Sequence, residues 1–269
     1  MRHTLYAIVV LTALMFALPT WAGGPGDLPD GGQARVVAVV DGDTVVLDDT
    51  RQVRLVGIQA PKLSLGRPHF TPWPLAEEAK TVLQQMVLGK TVELRLAPAS
   101  EDRHGRVLAH VRVKEGTPGG GVWLQAEMLK RGLARVYTFP DNRILANELL
   151  ALERQARSDK LGIWGVAYYA LRTLDNVRHD VGTFQIVEGR VLDTARVKKR
   201  IYLNFGADWR RDFTIKINVQ DASLFSDAGI DLVGLKGQRV RVRGWVKSQN
   251  GPMIELDHPE RLELPDKVR

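Results

Sequence analysis

The chain has no cysteine, so no disulfide can close in an oxidising compartment and no lipid can be attached through an N-terminal thiol. Long apolar runs are missing too, apart from residues 5–18, which are too short for a comfortable bilayer crossing. Arg2 and His3 precede that run and Pro19-Thr20-Trp21-Ala22 follows it, with a small residue at the expected cut. This pattern predicts a signal peptide over 1–22 and an exported, periplasmic or secreted protein; the alternative is an uncleaved N-terminal anchor. What is present is ordinary for a globular protein: 44% hydrophobic and 26% charged residues over 269 positions, enough for one large or two small domains. The formal net charge of +7 leans toward an anionic partner, nucleic acid or an acidic surface, although a merely solvated basic surface has the same composition.

Residues 23–33 are rich in Gly and Pro and read as a flexible lead-in. Three strands are expected between Ala34 and about Ile58, with Asp41-Gly42 as a hairpin turn in which Gly supplies a positive φ. A loop over 63–74 carries His69, Phe70 and Trp73 and reads either as a surface connection pinned by its aromatics or as a lid. An apolar stripe at Leu75, Ala79, Val82, Leu83 and Met86 predicts a helix stopped by Gly89. Alternation predicts strands at 91–96 and 107–113, joined by a charged turn ending in His104-Gly105-Arg106. Two further helices are expected, over 123–131 and from Pro140-Asp141-Asn142 onward, the second burying Leu145, Leu149, Leu152 and Ala156.

Several of these segments, in order, carry a family resemblance. Asp41-Gly42-Asp43-Thr44, the run from Arg54 to Lys62, the Gly105-Arg106 turn, the segment 132–137 and Leu161-Gly162-Ile163-Trp164 together resemble the staphylococcal nuclease family over about residues 35–165. The resemblance implies an α+β fold, an OB barrel with three helices, and calcium-dependent hydrolysis of DNA and RNA phosphodiesters. It implies that Asp43 matches a metal carboxylate, and that Arg54 and Arg106 match the two arginines that contact the phosphate and its transition state. Tyr137 and Phe139 become candidate platforms for a nucleobase, with core packing under the following loop as the alternative.

Three positions depart from the family pattern. The second metal carboxylate is Gln59, the Thr that lends a carbonyl is Ala60, and the Glu read as general base is Lys62. Asp to Gln and Glu to Lys together make the site three charges more positive than the pattern. A hard cation that wants six to eight oxygen ligands is disfavoured there, whereas Arg54, Lys62 and Arg106 suit a phosphate. Asp43 is then a remnant metal ligand, no cofactor is expected, and hydrolysis of the family type should be weak or absent, since losing a positioned base costs about 10²–10⁴ in rate.

Residues 166–182 read as a linker, and 183–266 as a second, five-stranded OB-like barrel with strands at 184–191, 201–205, 213–217, 237–246 and 253–256 and a helical piece near 222–228. Arg239, Arg241 and Arg243 alternate with valines, and with Lys198, Lys199, Arg200, Arg210, Arg211, Tyr202, Trp209 and Trp245 they suit either a single-strand groove or an exposed strand guarded against edge pairing. Three functions remain open. The first is an exported binder of nucleic acid or another polyanion. The second is an active endonuclease drawing metal or base from Glu78, Asp102, His69 or His104. The third is an envelope structural or interaction protein. Nothing in the pattern specifies an oligomeric state.

Overall fold

The computed structural model describes residues 25–114 and 121–267; the expected signal peptide lies outside the described residues. The first half of the chain closes a barrel. Its strands are β1 (Asp30–Asp41), β2 (Thr44–Leu47), β3 (Gln52–Leu55) and, beyond the two-residue β4 (Ile58–Gln59) and helix α1 (Ala76–Val87), β5 (Thr91–Glu101) and β6 (Val107–Val113). Neighbours run β3-β2-β1-β5-β6, and β3 pairs parallel with β6, Arg54 opposite Leu108, so no edge is left between them. Two short strands complete this half: β7 (Val122–Trp123) lies beside β6, and β8 (Arg135–Val136) pairs with β4. The period of two points Val36, Val45, Leu55, Leu94 and Val111 into the barrel. Leu83 and Val87 of α1, Leu124 and Met128 of α2 (Leu124–Lys130) and Leu149 of α3 (Ala146–Ser158) cover its open parts.

Two boundaries differ from the sequence reading. β1 starts at Asp30, inside the expected flexible lead-in, because Gln33 and Ala34 pair with Glu93 and Val92. The third helix starts at Ala146 and not near Pro140, since the Asn142 side chain bonds both the N–H and the carbonyl of Ala99 and so anchors a loop.

The second half holds β9 (Phe184–Arg190), β10 (Asp193–Val197), β11 (Arg200–Asn204), β12 (Thr214–Asn218), α4 (Ala222–Asp227), β13 (Arg239–Trp245), β14 (Lys247–Ser248), β15 (Pro252–Leu256) and β16 (Leu262–Glu263). One sheet runs β10-β11-β12-β15-β14 and another β16-β13-β9, with β12 and β15 parallel. The sheets wrap one core around Leu203, Ile215, Phe225, Val240 and Ile254. Three strands, a helix and two strands follow in the order expected of an OB-like barrel, with the first strand divided at Val191-Leu192, the fourth divided into β13 and β14 at Val246, and β16 added beside β13. The stretch 166–182 is built rather than free: Tyr169 is buried with its hydroxyl on the Pro74 carbonyl, and Arg172 pairs with Asp180 at 2.8 Å.

A buried ionic network joins the halves. Arg243 is 1% exposed and reaches Glu153 of α3 at 2.8 Å and Glu263 of β16 at 2.6 Å, while Arg157 bridges the same two carboxylates. Arg241 holds Glu188 and Glu263, and Arg239 holds Asp266. The arginine stripe of β13 is therefore neither a free groove nor a free edge; all three side chains are committed to carboxylates, Arg239 and Arg241 within the second barrel and Arg243 at the contact with the first. Among the described residues no helix is long and apolar enough to cross a membrane.

Candidate functional site

The β1–β2 turn places Asp41 and Asp43 side by side below the end of β3. Gly42 is needed there for closeness: its φ is not positive, but a Cβ would stand 2.7 Å from the Ala60 Cβ and 2.8 Å from the Ala79 Cβ. The expectation of a positive φ at this turn is thus replaced by a packing reason, the tight approach of α1 and Ala60 to the turn. Asp43 is fully buried, and its carboxylate accepts from the Ala60 N–H at 2.7 Å and from the Thr44 hydroxyl at 3.2 Å.

Lys62 completes the surroundings. Its Nζ lies 2.8 and 2.7 Å from the two Asp43 oxygens and 3.1 Å from Asp41 Oδ2. Arg54 is 3.1 Å from Asp43 Oδ1, and the same guanidinium donates to the carbonyls of Asp43, Leu55 and Ile58. Burial alone would raise the Asp43 pKa, but Arg54 and Lys62 outweigh it and hold the carboxyl well below the usual carboxylate range. Asp41 goes the other way, raised by burial and by Asp43 against the pull of Lys62.

The residues implied as metal ligands do not fit a divalent cation. Both Asp43 oxygens are already bonded to cations and donors, and Gln59 turns away, its Oε1 accepting from Arg135 Nε at 3.1 Å and Nη2 at 2.7 Å. Among the described residues no group of three or more His, Asp or Glu side chains is arranged to hold a metal ion. Two carboxylates also face the cations that stand at the family's positions. Asp41 shares Lys62, and Asp102 takes Arg106 through Nε at 2.9 Å and Nη2 at 2.6 Å. Asp41 was visible in the motif and Asp102 two residues before His104, but which cation each would neutralise depends on the fold. Arg106 is the least committed of the three: Nη1 has only a long contact, 3.5 Å, with the Thr44 hydroxyl, and the side chain is 26% exposed.

His69, Glu78 and His104 are all exposed, and among the described residues no hydrogen bond or ion pair links them to Asp43 or Lys62; His104 instead bonds Arg103. The loop at 63–74 is pinned: the Trp73 N–H bonds the Lys62 carbonyl, the Trp73 ring lies under Arg135, and Arg67 stacks on Phe70. Tyr137 touches Phe139 edge-on at 5.1 Å and Phe184 at 4.9 Å, and its hydroxyl accepts from Trp245 Nε1. Tyr137 is thereby part of the contact with the second barrel, whereas Phe139 is half exposed. Arg135, which no sequence pattern singles out, is buried between Trp73 and Phe184, and burial lowers its pKa to about 10.

Comparison with known proteins agrees with this barrel. Residues 52–166 match the model of a family described as staphylococcal nuclease homologue. Protein ParB of Escherichia coli is 33% identical over 188 residues, covering 66% of this chain and 96% of its own length. A thermonuclease of Staphylococcus hyicus is 29% identical over 138 residues, 48% of this chain and 74% of its own. A probable staphylococcal-like nuclease, CAN1, of Oryza sativa subsp. japonica is 35% identical over 122 residues, 45% of this chain but only 31% of the rice protein.

Proposed function

The chain belongs to the staphylococcal nuclease homologue family, and from that premise we propose that it binds nucleic acid without hydrolysing it by the family's calcium chemistry. One observation carries the reading: the Lys62 ammonium sits on both oxygens of Asp43 and on Asp41, within 3.1 Å of each. A single positive charge fixed by its own side chain thus holds the place between the carboxylates that a divalent ion would need, and no base stands at that position. Displacing the ammonium would expose a buried carboxylate pair, which is costly in a low-dielectric site. Of the residues implied to contact phosphate, Arg106 is best placed to swing from Asp102 to an anion, whereas Arg54 is tied to three carbonyls and Asp43 and acts chiefly as a brace. The protein is proposed to act after export, a reading supported by the charged, apolar and small-residue order of residues 1–22.

The test is digestion of DNA and RNA by the mature protein with calcium, magnesium, manganese or chelator, beside a binding measurement in chelator. Oligonucleotide affinity should fall with salt and weaken on Arg106→Ala, with no cleavage in any metal. Chelator-sensitive cleavage that disappears on Asp43→Ala would overturn the proposal in favour of an active endonuclease.

A further inference from the structure

The second barrel carries a cleft that the nuclease barrel's reading does not use. Ile201, Leu203, Ile215 and Ile217 face the core, so the alternation of β11 and β12 leaves Arg200, Tyr202 and Asn204 on the outer face, beside Thr214 and Lys216. Two loops rise over one end of this face, 205–213 carrying Trp209 and 249–251 carrying Gln249 and Asn250. They border a half-open cleft of about 360 Å³ whose lining includes Tyr202, Asn204, Trp209, Gln249, Asn250 and Met253. That volume falls in the range of about 300–1,000 Å³ typical of ligand clefts. The walls are fixed against each other: Gly251 has φ +89, and a Cβ there would lie 2.6 Å from the Arg211 carbonyl oxygen, so backbone meets backbone.

The floor is neutral in sum, its one cation Lys216 being paired with Glu255 and 3.5 Å from Gln249 Oε1, and the rim is cationic. Trp209 is 49% exposed at the mouth of the cleft, and the Arg210 guanidinium lies over its ring at 4.4 Å. Among the described residues, Arg196, Lys198, Lys199, Arg200, Arg210 and Arg211 make no ion pair, in contrast to Arg54, Lys62, Arg106 and the β13 arginines, which all do. The two acids among them are occupied with backbone, Asp208 capping the Arg210 N–H and Asp212 the Asp208 N–H.

We infer that this cleft is a second nucleic-acid contact, taking single-stranded DNA or RNA with a base against Trp209 and Tyr202, amides of Asn204, Gln249 and Asn250 at the base edge, and phosphates on Arg200 and Arg210. Each feature answers to one part of that ligand: rings to the base faces, amides to donors and acceptors, unpaired guanidinium groups to phosphate oxygens. A neutral glycan would use the floor but leave the rim without purpose. An acidic peptide would use the rim but not the rings. A base inside a duplex keeps its faces stacked on its neighbours and offers none to Trp209 or Tyr202. The position, on the face of the second and third strands flanked by the loops 198–199 and 249–251, is the one that barrels of this topology use for oligomeric ligands. This goes beyond the preceding proposal: it requires nucleic-acid binding by the protein but not by the nuclease barrel.

The test is fluorescence anisotropy of the full chain, in chelator, with labelled oligo-dT and oligo-rU of about 12 nucleotides, within the usual site size of such barrels. Trp209→Ala should weaken binding about 5- to 150-fold, the range for removing one stacked ring, and Trp209→Phe should restore most of it. Arg200→Ala with Arg210→Ala should flatten the dependence of log affinity on log salt by about 0.7 for each phosphate that is no longer neutralised. Weakening by Arg106→Ala but not by Trp209→Ala overturns this inference and leaves the nuclease-barrel reading standing. Weakening by Trp209→Ala but not by Arg106→Ala does the reverse. Absence of salt-sensitive binding to either oligonucleotide overturns both, including the case in which an uncharged oligosaccharide binds instead.

Discussion

At the scale of single residues the site turns on Lys62. Removing its ammonium leaves Asp43 buried and charged with Arg54 as its remaining cation, and deleting one member of a buried pair is far worse than deleting both. Lys62→Met should therefore destabilise the protein by up to about 3 kcal/mol, and adding Asp43→Asn should recover most of that loss. Urea denaturation of the two single variants and the double checks this; additive losses would mean that the two side chains do not sense each other. The same residue shows what the sequence could and could not tell. The replacement of Glu by Lys in the motif announced a change of charge, and Asp43, Arg54, Lys62 and Arg106 are indeed gathered around the β1–β2 turn and the end of β3. Which carboxylate each cation would neutralise was not legible, because Asp41 and Asp102 reach them only through the turn geometry, and a count over the family's positions left both out.

Among the elements, strands and helices with clear periodicity were readable. β6 and the helices α1 and α2 lie within a residue or two of expectation because their apolar spacing leaves one buried face. β10 has no signature in the sequence, since Asp193, Thr194, Ala195, Arg196 and Val197 have an exposed or half-exposed pattern with no apolar alternation, and only pairing with β11 holds them extended. The Asp41-Gly42 turn was found for a reason that does not apply. Its glycine answers to α1, which packs Ala79 where a Cβ would go. Gly42→Ala should overpack the junction of the turn, Ala60 and α1, at a cost of about 1–3 kcal/mol, with the midpoint of urea denaturation moved down and its slope unchanged. A variant as stable as the parent would mean that α1 can shift away freely and does not position the turn.

For the whole molecule, the decisive contact is the one between barrels, where a buried ionic network lies beside an aromatic cluster. Alternating Arg and Val in β13 announced two faces, but a strand cannot announce what will cover its polar face; here α3 supplies Glu153 and the chain end supplies Glu263. The network should make the assembly acid-sensitive in a definite window. Burial would raise the Glu263 pKa, but Arg243 and Arg157 hold it down to about 2 against an ordinary 4.5. The unfolded chain thus binds more protons than the folded one in this window. The stabilisation is complete above about pH 4.5 and is lost as pH falls toward 2, amounting to on the order of 3 kcal/mol. Glu263→Gln should destabilise at neutral pH, because Arg243 and Arg157 lose a buried charge partner, and should also flatten the dependence of stability on pH between about 4.5 and 2 relative to the parent. Urea denaturation across that range separates the two effects, since Asp43 and the other depressed carboxylates titrate in both proteins and cancel in the difference. Parallel pH profiles would mean that Glu263 ionises in the folded protein as it does in the unfolded chain, and that the barrels are held together by their apolar and aromatic contacts, Tyr137 with Phe184 and Trp245 foremost.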